Sequence, residues 1–268
     1  MFKYLRFFSL LSLLLSLASC SSNPVAADAN AAAAAATNPA AKASARILIL
    51  TGEDAHHRWQ ETTPVLEAFL EEDPRLAVEV LDDLSRIEST DLSSFDAVII
   101  HFKNDDPAIP GRTAFDQLNA YVRGGGGLIL VHFGCGAFQE FRDDFESLIG
   151  RVWFGLPAPE GQRQHDRYGP FEVRPTDFTH TITEDLAPFA TADELYTCLT
   201  GNTAVDILAV ANSPVDQQDY PMALVRTPED GRVFLCTLGH DVAAYQAEGV
   251  RDLYRRGAAW AAGLSSAR

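Results

Sequence analysis

Apolar residues fall in short blocks along the chain, and the spacing changes from block to block. Arg46 to Gly52, RILILTG, is a continuous aliphatic run closed by glycine, which predicts a first buried strand. Pro64 to Glu72 places Val65, Leu66, Phe69 and Leu70 at helical spacing. Leu76 to Asp82 alternates as a strand, and Asp96 to Phe102, DAVIIHF, is a second buried run. Phe115, Leu118 and Val122 mark a helix that stops at the glycines Gly124 to Gly127. The strand LILVHF, from Leu128, and a helix from about Phe138 to Ile149 follow. This alternation with near-continuous apolar strands predicts an α/β fold whose parallel sheet is covered on both faces. The second half reads differently. FEVRP, DELYTCL, DILAVAN, PMALVRT and RVFLCTLG are successive strands with turn residues between them, and Pro228 to Gly231 is a hairpin turn. A last helix, about Val250 to Gly263, carries Leu253, Tyr254 and Trp260. The glycine run precedes a strand rather than a helix, so it is a poor dinucleotide fingerprint.

Composition narrows the partners. The 268 residues, 47% of them hydrophobic, suffice for one good-sized core. A formal charge of −16 argues against nucleic acid or anionic lipid as a partner and leaves a neutral sugar open. Residues 1–19 read as a signal peptide: Lys3 and Arg6, then an apolar run from Phe7 to Ala18 too short to span a bilayer. The run enters Leu17-Ala18-Ser19-Cys20, which resembles a lipoprotein cleavage box with Cys20 as the lipidated residue; the plainer reading is a secretory signal with a chance cysteine. Ser21 after it suits the outer membrane of a Gram-negative cell, with lipid as the membrane contact and the domain exported. Residues 20–45, rich in alanine, read as a disordered tether, and 46–264 as the folded domain. Of the remaining cysteines, Cys135, Cys198 and Cys236, at least one is unpaired within the chain.

Histidine placement carries the chemistry. His56 and His57 follow the first strand, His101 and His132 end later ones, and His240 follows the last. In an open parallel sheet ligands bind beyond the carboxyl ends of the strands. The bland readings are solvated loops for His56 and His101, a cap for His57, and a core histidine bonded to a carbonyl for His132. His240 is the least bland, because Asp241 beside it could orient the ring or share a ligand.

Beyond periodicity, the chain resembles the ThuA-like family, with a flavodoxin-like fold akin to class I glutamine amidotransferases. The resemblance rests on TGEDAHHRW, GGGGLILVH, LIGRVW, His165, HTIT, DELY, GRVFLCTLGHD and RGAAWAAG, in this order from about Arg46 to Gly263. It implies a doubly wound, mostly parallel sheet with added antiparallel strands in the second half. The family's recurring polar residues map onto His57, His132, His165, His180, Glu194, Tyr196, His240 and Asp241; its His-Pro-Ile-Thr stands here as His180 to Thr183, without the proline. Amidotransferases carry a Gly-x-Cys-x-Gly elbow after the corresponding strand. Aligned on His132 and Gly136, their cysteine falls on Gly134, and Cys135 is one place late.

Three functions follow as expectations. The first is a carbohydrate-processing enzyme acting on a disaccharide, a glucoside or its 3-keto derivative by hydrolysis or elimination. His132 and His240 would be acid and base, with Glu194 and Asp241 beside them. His57, His165, His180, Tyr196 and Trp59 would bind substrate, and an oxidoreductase of the same pathway would make the 3-keto group. A divalent metal such as zinc on His57, His132 and His240 belongs to this reading, by fold placement alone. The second is a cysteine hydrolase using Cys135 and His240. The third is a lipid-anchored sugar-binding protein whose cleft is lined by Trp59, Trp153, Phe154, Tyr168 and Tyr196.

Overall fold

The computed structural model describes residues 42–104, 106, 108–154 and 163–265. The signal peptide, Cys20 and most of the tether lie outside the described residues. Five strands build the parallel half: β1 (Ala45–Thr51), β2 (Leu76–Leu81), β3 (Ala97–His101), β4 (Gly127–Val131) and β11 (Arg232–Cys236). Four antiparallel strands extend it: β6 (Gly169–Pro175), β7 (Phe189–Asp193), β9 (Asp206–Asn212) and β10 (Asp219–Arg226). The nine-stranded order is β2-β1-β3-β4-β11-β10-β9-β6-β7. β5 (Val152–Trp153) and β8 (Leu199–Thr200) form a separate small ribbon. Ala45 already pairs with Leu76, so β1 starts one residue before the apolar run that begins at Arg46.

Both faces are covered, and the alternation along each strand divides the core in two. Ile47, Ile49, Ile99, Ile129 and Phe234 pack on one side with residues of α1 (Trp59–Leu70) and α4 (Glu248–Ala261). Leu48, Leu50, Val98, Ile100, Leu128 and Leu130 pack on the other with residues of α2 (Arg112–Arg123) and α3 (Arg142–Ile149). The fold is the flavodoxin-like, doubly wound α/β arrangement predicted, with its antiparallel strands in the second half.

Three elements differ from expectation. α1 starts at Trp59 and carries Pro64 inside it, because Thr62 and Thr63, buried yet polar, turn toward β3 and meet His101. The chain after β4 leaves the strand at Val131 and enters a 3₁₀ turn, His132–Gly136. DELYTCL is not one strand: β7 ends at Asp193, Tyr196 makes an isolated bridge with His165, and Leu199 opens β8.

Candidate metal centre

The site is built where β1, β4 and β11 end. After β1 the chain turns tightly at Gly52, whose φ of +128° and closeness to Asp82 O leave no room for a Cβ. The turn sets Asp54, whose carboxylate oxygen Oδ1 accepts from the backbone N–H of His56 (2.5 Å) and His57 (2.7 Å). The same oxygen lies 2.9 Å from His57 Nδ1. Burial would raise the Asp54 carboxyl, but the hydrogen bond and charge of His57 and the backbone amides outweigh it and hold it below the usual value. The carboxylate therefore keeps the His57 proton on Nδ1, leaving Nε2 as a lone pair. Phe133 stacks on the His57 ring at 4.4 Å and 17°, fixing its plane.

His132 opens the 3₁₀ turn with φ +43°, a conformation rare for a residue with a Cβ. Its Nδ1 lies 2.6 Å from Thr237 O and donates to it, which again leaves Nε2 as the lone pair. Burial pushes the imidazole down to about 4, so it is neutral at pH 7. His240 follows Gly239, at φ +121°, beyond β11. Glu194 arrives from the other half of the molecule, one residue past β7.

These four side chains converge. Ring centroids are 5.0 Å apart for His57 and His132, 4.9 Å for His57 and His240, and 5.6 Å for His132 and His240. Glu194 Oε2 lies 3.7 Å from His132 Nε2 and 3.3 Å from His240 Nδ1. One donor atom from each of the four falls within 4.8 Å of the others. His57 Nε2, His132 Nε2 and His240 Nδ1 are all buried and, among the described residues, without a hydrogen-bond partner. Buried polar atoms are rarely left so, and three facing one another beside a carboxylate are a donor set that could hold a cation. Burial would raise the Glu194 carboxyl, but its contacts with His132 and His240 hold it well below the ordinary range. The set, three imidazoles and one carboxylate, suits zinc or a similar borderline ion. A cavity of about 290 Å³ opens beside it, lined by His56, His57, Glu61, His240 and Asp241 among others. The larger cavity, about 560 Å³, is lined by Arg75, Arg255 and Trp260 and contains none of the four.

The other predicted residues divide. His165 reaches the site's edge, its Nδ1 3.7 Å from Glu194 Oε1 and 2.8 Å from Asp166 O. Tyr196 is buried and forms the wall behind His132, centroid to centroid 4.4 Å. Asp241 does not join the donors: it accepts from Tyr168 Oη (3.2 Å) and Ala244 N (3.0 Å) on the rim. Trp59 starts α1 directly after the loop and is absent from the cavity lining. His180 is misplaced by the sequence reading. Its Nδ1 accepts from Ile182 N, and its ring packs at 5.1 Å on Trp260, a residue of the other cavity. The turn without its proline closes on itself there.

His101 is no solvated loop residue. It is buried between Thr51, Thr62 and Thr63, and burial pushes it down to about 3. Cys135 is fully buried in the apolar layer, its thiol donating to His132 O, and burial pushes it up to about 12. A thiol so held is a poor nucleophile. Gly134, at the position of the amidotransferase cysteine, has no space either: an added Cβ would lie 2.4 Å from Ile100 O. Among the described residues, Cys135, Cys198 and Cys236 are not bridged to one another. Sequence reasoning passed over Asp54, Thr237 and Asp193, which act on the ligands through short polar contacts that no spacing announces.

A family model described as "ThuA: Trehalose utilisation" matches residues 46–261, and the chain belongs to this family. Its description gives the chain a carbohydrate-related role. No curated protein matches the sequence. Among solved structures, a ThuA-like protein from Parabacteroides merdae is similar at 23% identity and TM-score 0.73, over 84% of this chain and 92% of that one. One from Bacteroides uniformis is similar at 17% identity and TM-score 0.63, over 85% and 94%. The glutaminase domain of Trypanosoma brucei CTPS is similar at 11% identity and TM-score 0.51, over 84% and 96%. At these identities the likeness is one of fold.

Proposed function

We propose that the chain is a metal-dependent enzyme acting on a disaccharide, a glucoside or its 3-keto derivative, by hydrolysis or elimination. One observation carries the reading: three buried, unpartnered imidazole nitrogens converge on the Glu194 carboxylate. His57, His132, Glu194 and His240 would hold the ion. An ion there supplies Lewis-acid polarisation of a sugar oxygen.

With His132 and His240 engaged as donors, acid–base work passes to His165. Its Nδ1 donates to the Asp166 carbonyl, which leaves Nε2 as the nitrogen that would act as base. On a 3-keto sugar, that base would take the acidified proton next to the ketone. The electron pair left behind forms the double bond as the glycosidic C–O bond breaks, and the departing oxygen takes up a proton. Tyr168 lies over His240 at 5.4 Å and is exposed, a face on which sugar C–H groups can pack. An oxidoreductase would supply the 3-keto group. We place the domain outside the cytoplasm, held to the membrane through lipid on Cys20; the support for this is the leader sequence.

The test is elemental analysis of the purified chain, with turnover assayed on glucosides, disaccharides and their 3-keto forms before and after chelation. About one ion per chain and activity lost on chelation and restored by zinc are expected. Cys135→Ala should keep the activity. Protein without stoichiometric metal, or activity indifferent to chelator, sinks the reading; bound metal and sugar with no turnover leaves a binding protein instead.

A further inference from the structure

Asp193 is the last residue of β7, and its position is unexpected for an edge strand. Sheet order puts β7 four strands from β11, about 19 Å in a flat sheet. Yet Asp193 Oδ2 accepts from Gly239 N, just beyond β11, at 2.6 Å. Its Oδ1 accepts from His240 N at 3.3 Å and from Glu194 N at 2.8 Å. The antiparallel half has curled back until its edge meets the parallel half. Thr191 touches Ala244 O at 3.5 Å along the same seam.

The carboxylate is fully buried, and among the described residues no lysine or arginine pairs with it. Burying a carboxylate is costly, and an apolar residue would close the seam at lower cost. What it provides instead is direction. It holds the backbone of two of the four donors, Glu194 and His240, and lies 4.0 Å from the ring of a third, His132. Gly239 fits the same purpose: its φ of +121° turns its N–H onto Asp193, and an added Cβ would lie 2.7 Å from Tyr245 Oη.

We propose that Asp193 is a positioning residue that assembles the centre before metal arrives, by latching the curled antiparallel half onto the end of β11. The proposal rests on the metal-centre reading above. It assigns Asp193 no contact with metal or substrate; it acts through the backbone of Glu194 and His240.

Asp193→Asn tests it with little change of shape. Asparagine keeps one oxygen for two of the amides and turns an NH₂ toward the third, setting donor against donor. Zinc affinity, measured by competition with a coloured chelator, should weaken roughly 10–100-fold. The visible absorption of the Co²⁺-substituted variant should shift toward that of Glu194→Gln. A merely structural role would lower the unfolding temperature and leave zinc affinity and the cobalt spectrum as in wild type, and that result overturns the proposal. A second arm needs no variant and decides the matter if Asp193→Asn does not fold. In the chelated wild-type chain, the amides of Glu194, Gly239 and His240 should exchange slowly with D₂O; exchange at unprotected rates refutes the latch. Wild-type protein that takes up neither zinc nor cobalt defeats the metal reading, and the exchange arm still judges the latch.

Discussion

At the scale of single residues, the molecule spends buried polar groups in two ways. His57, His132 and His240 each leave a ring nitrogen unpartnered and face one another. His101, one layer away, is the opposite case, with hydroxyls at both nitrogens: Thr63 at 3.0 Å from Nδ1 and Thr62 at 3.3 Å from Nε2. It is also boxed against Phe133, the ring that stacks on His57. His101 thus supports the site without entering it. Its burial has a consequence for acid stability. The folded pKa is about 3 against the ordinary 6.5, so below 6.5 the unfolded chain takes up a proton that the folded chain refuses. Stability is full above 6.5 and falls as pH drops toward 3, with a limiting slope from this group of about 1.4 kcal/mol per pH unit. His101→Gln keeps a donor and an acceptor for the threonines but cannot titrate. Denaturant midpoints measured from pH 7 to 4 should fall less steeply in the variant than in wild type; parallel profiles would show that His101 is not a source of acid lability.

At the scale of elements, the decisive piece is the turn after β4. Only glycine fits at 134, because the turn presses on the Ile100 carbonyl of β3 at 2.4 Å from any Cβ. Gly136, two residues on, would meet only the flexible Lys103 side chain at 3.1 Å. Gly134→Ala should therefore cost about 1–3 kcal/mol by overpacking and, by displacing His132, reduce zinc retention. Gly136→Ala should leave both near wild type. Thermal unfolding and metal content of the two variants, compared side by side, check this, and equal tolerance would contradict it. The same turn shows what a sequence can announce. LILV followed by His132 marked a strand end with chemistry on it, because a strand buried on both faces is a continuous apolar block. His57, His132 and His240 converge at the strand ends where fold placement puts them, whereas His101 and His180 do not. Asp193 and Thr237 stayed hidden because they serve through backbone amides and a carbonyl, which carry no side-chain pattern, and Asp54, which also meets the His57 ring, because a lone loop aspartate announces no partner. DELY misled for a related reason. Leu195, Tyr196 and Cys198 are all buried, but by crossing between two halves rather than by alternating on a strand. The apolar spacing marks α1 only from Pro64, because Thr62 and Thr63, its inward residues in the preceding turn, are polar.

At the scale of the whole molecule, the centre is a joint. The parallel half supplies three imidazoles from the ends of β1, β4 and β11, and the curled antiparallel half supplies one carboxylate. An ion held by all four therefore ties the halves together, and binding to the folded state alone must add to stability. With free metal at a hundredfold over Kd the gain is about 2.7 kcal/mol, which for a domain of this size raises the unfolding temperature by roughly 5–10 °C. Chelation should remove that increment and zinc should restore it. Glu194→Gln cuts the joint on its antiparallel side without touching the apolar core; losing the contacts with His132 and His240 should lower its metal-free unfolding temperature somewhat, and its upward shift on adding zinc, measured from its own chelated baseline, should shrink. The comparison separates a joint from a surface site: an ion bound by the three histidines alone would stabilise wild type and Glu194→Gln equally. Calorimetric scans of both proteins, with chelator and with zinc, distinguish the two, and equal shifts would mean that the antiparallel half takes no part in holding metal.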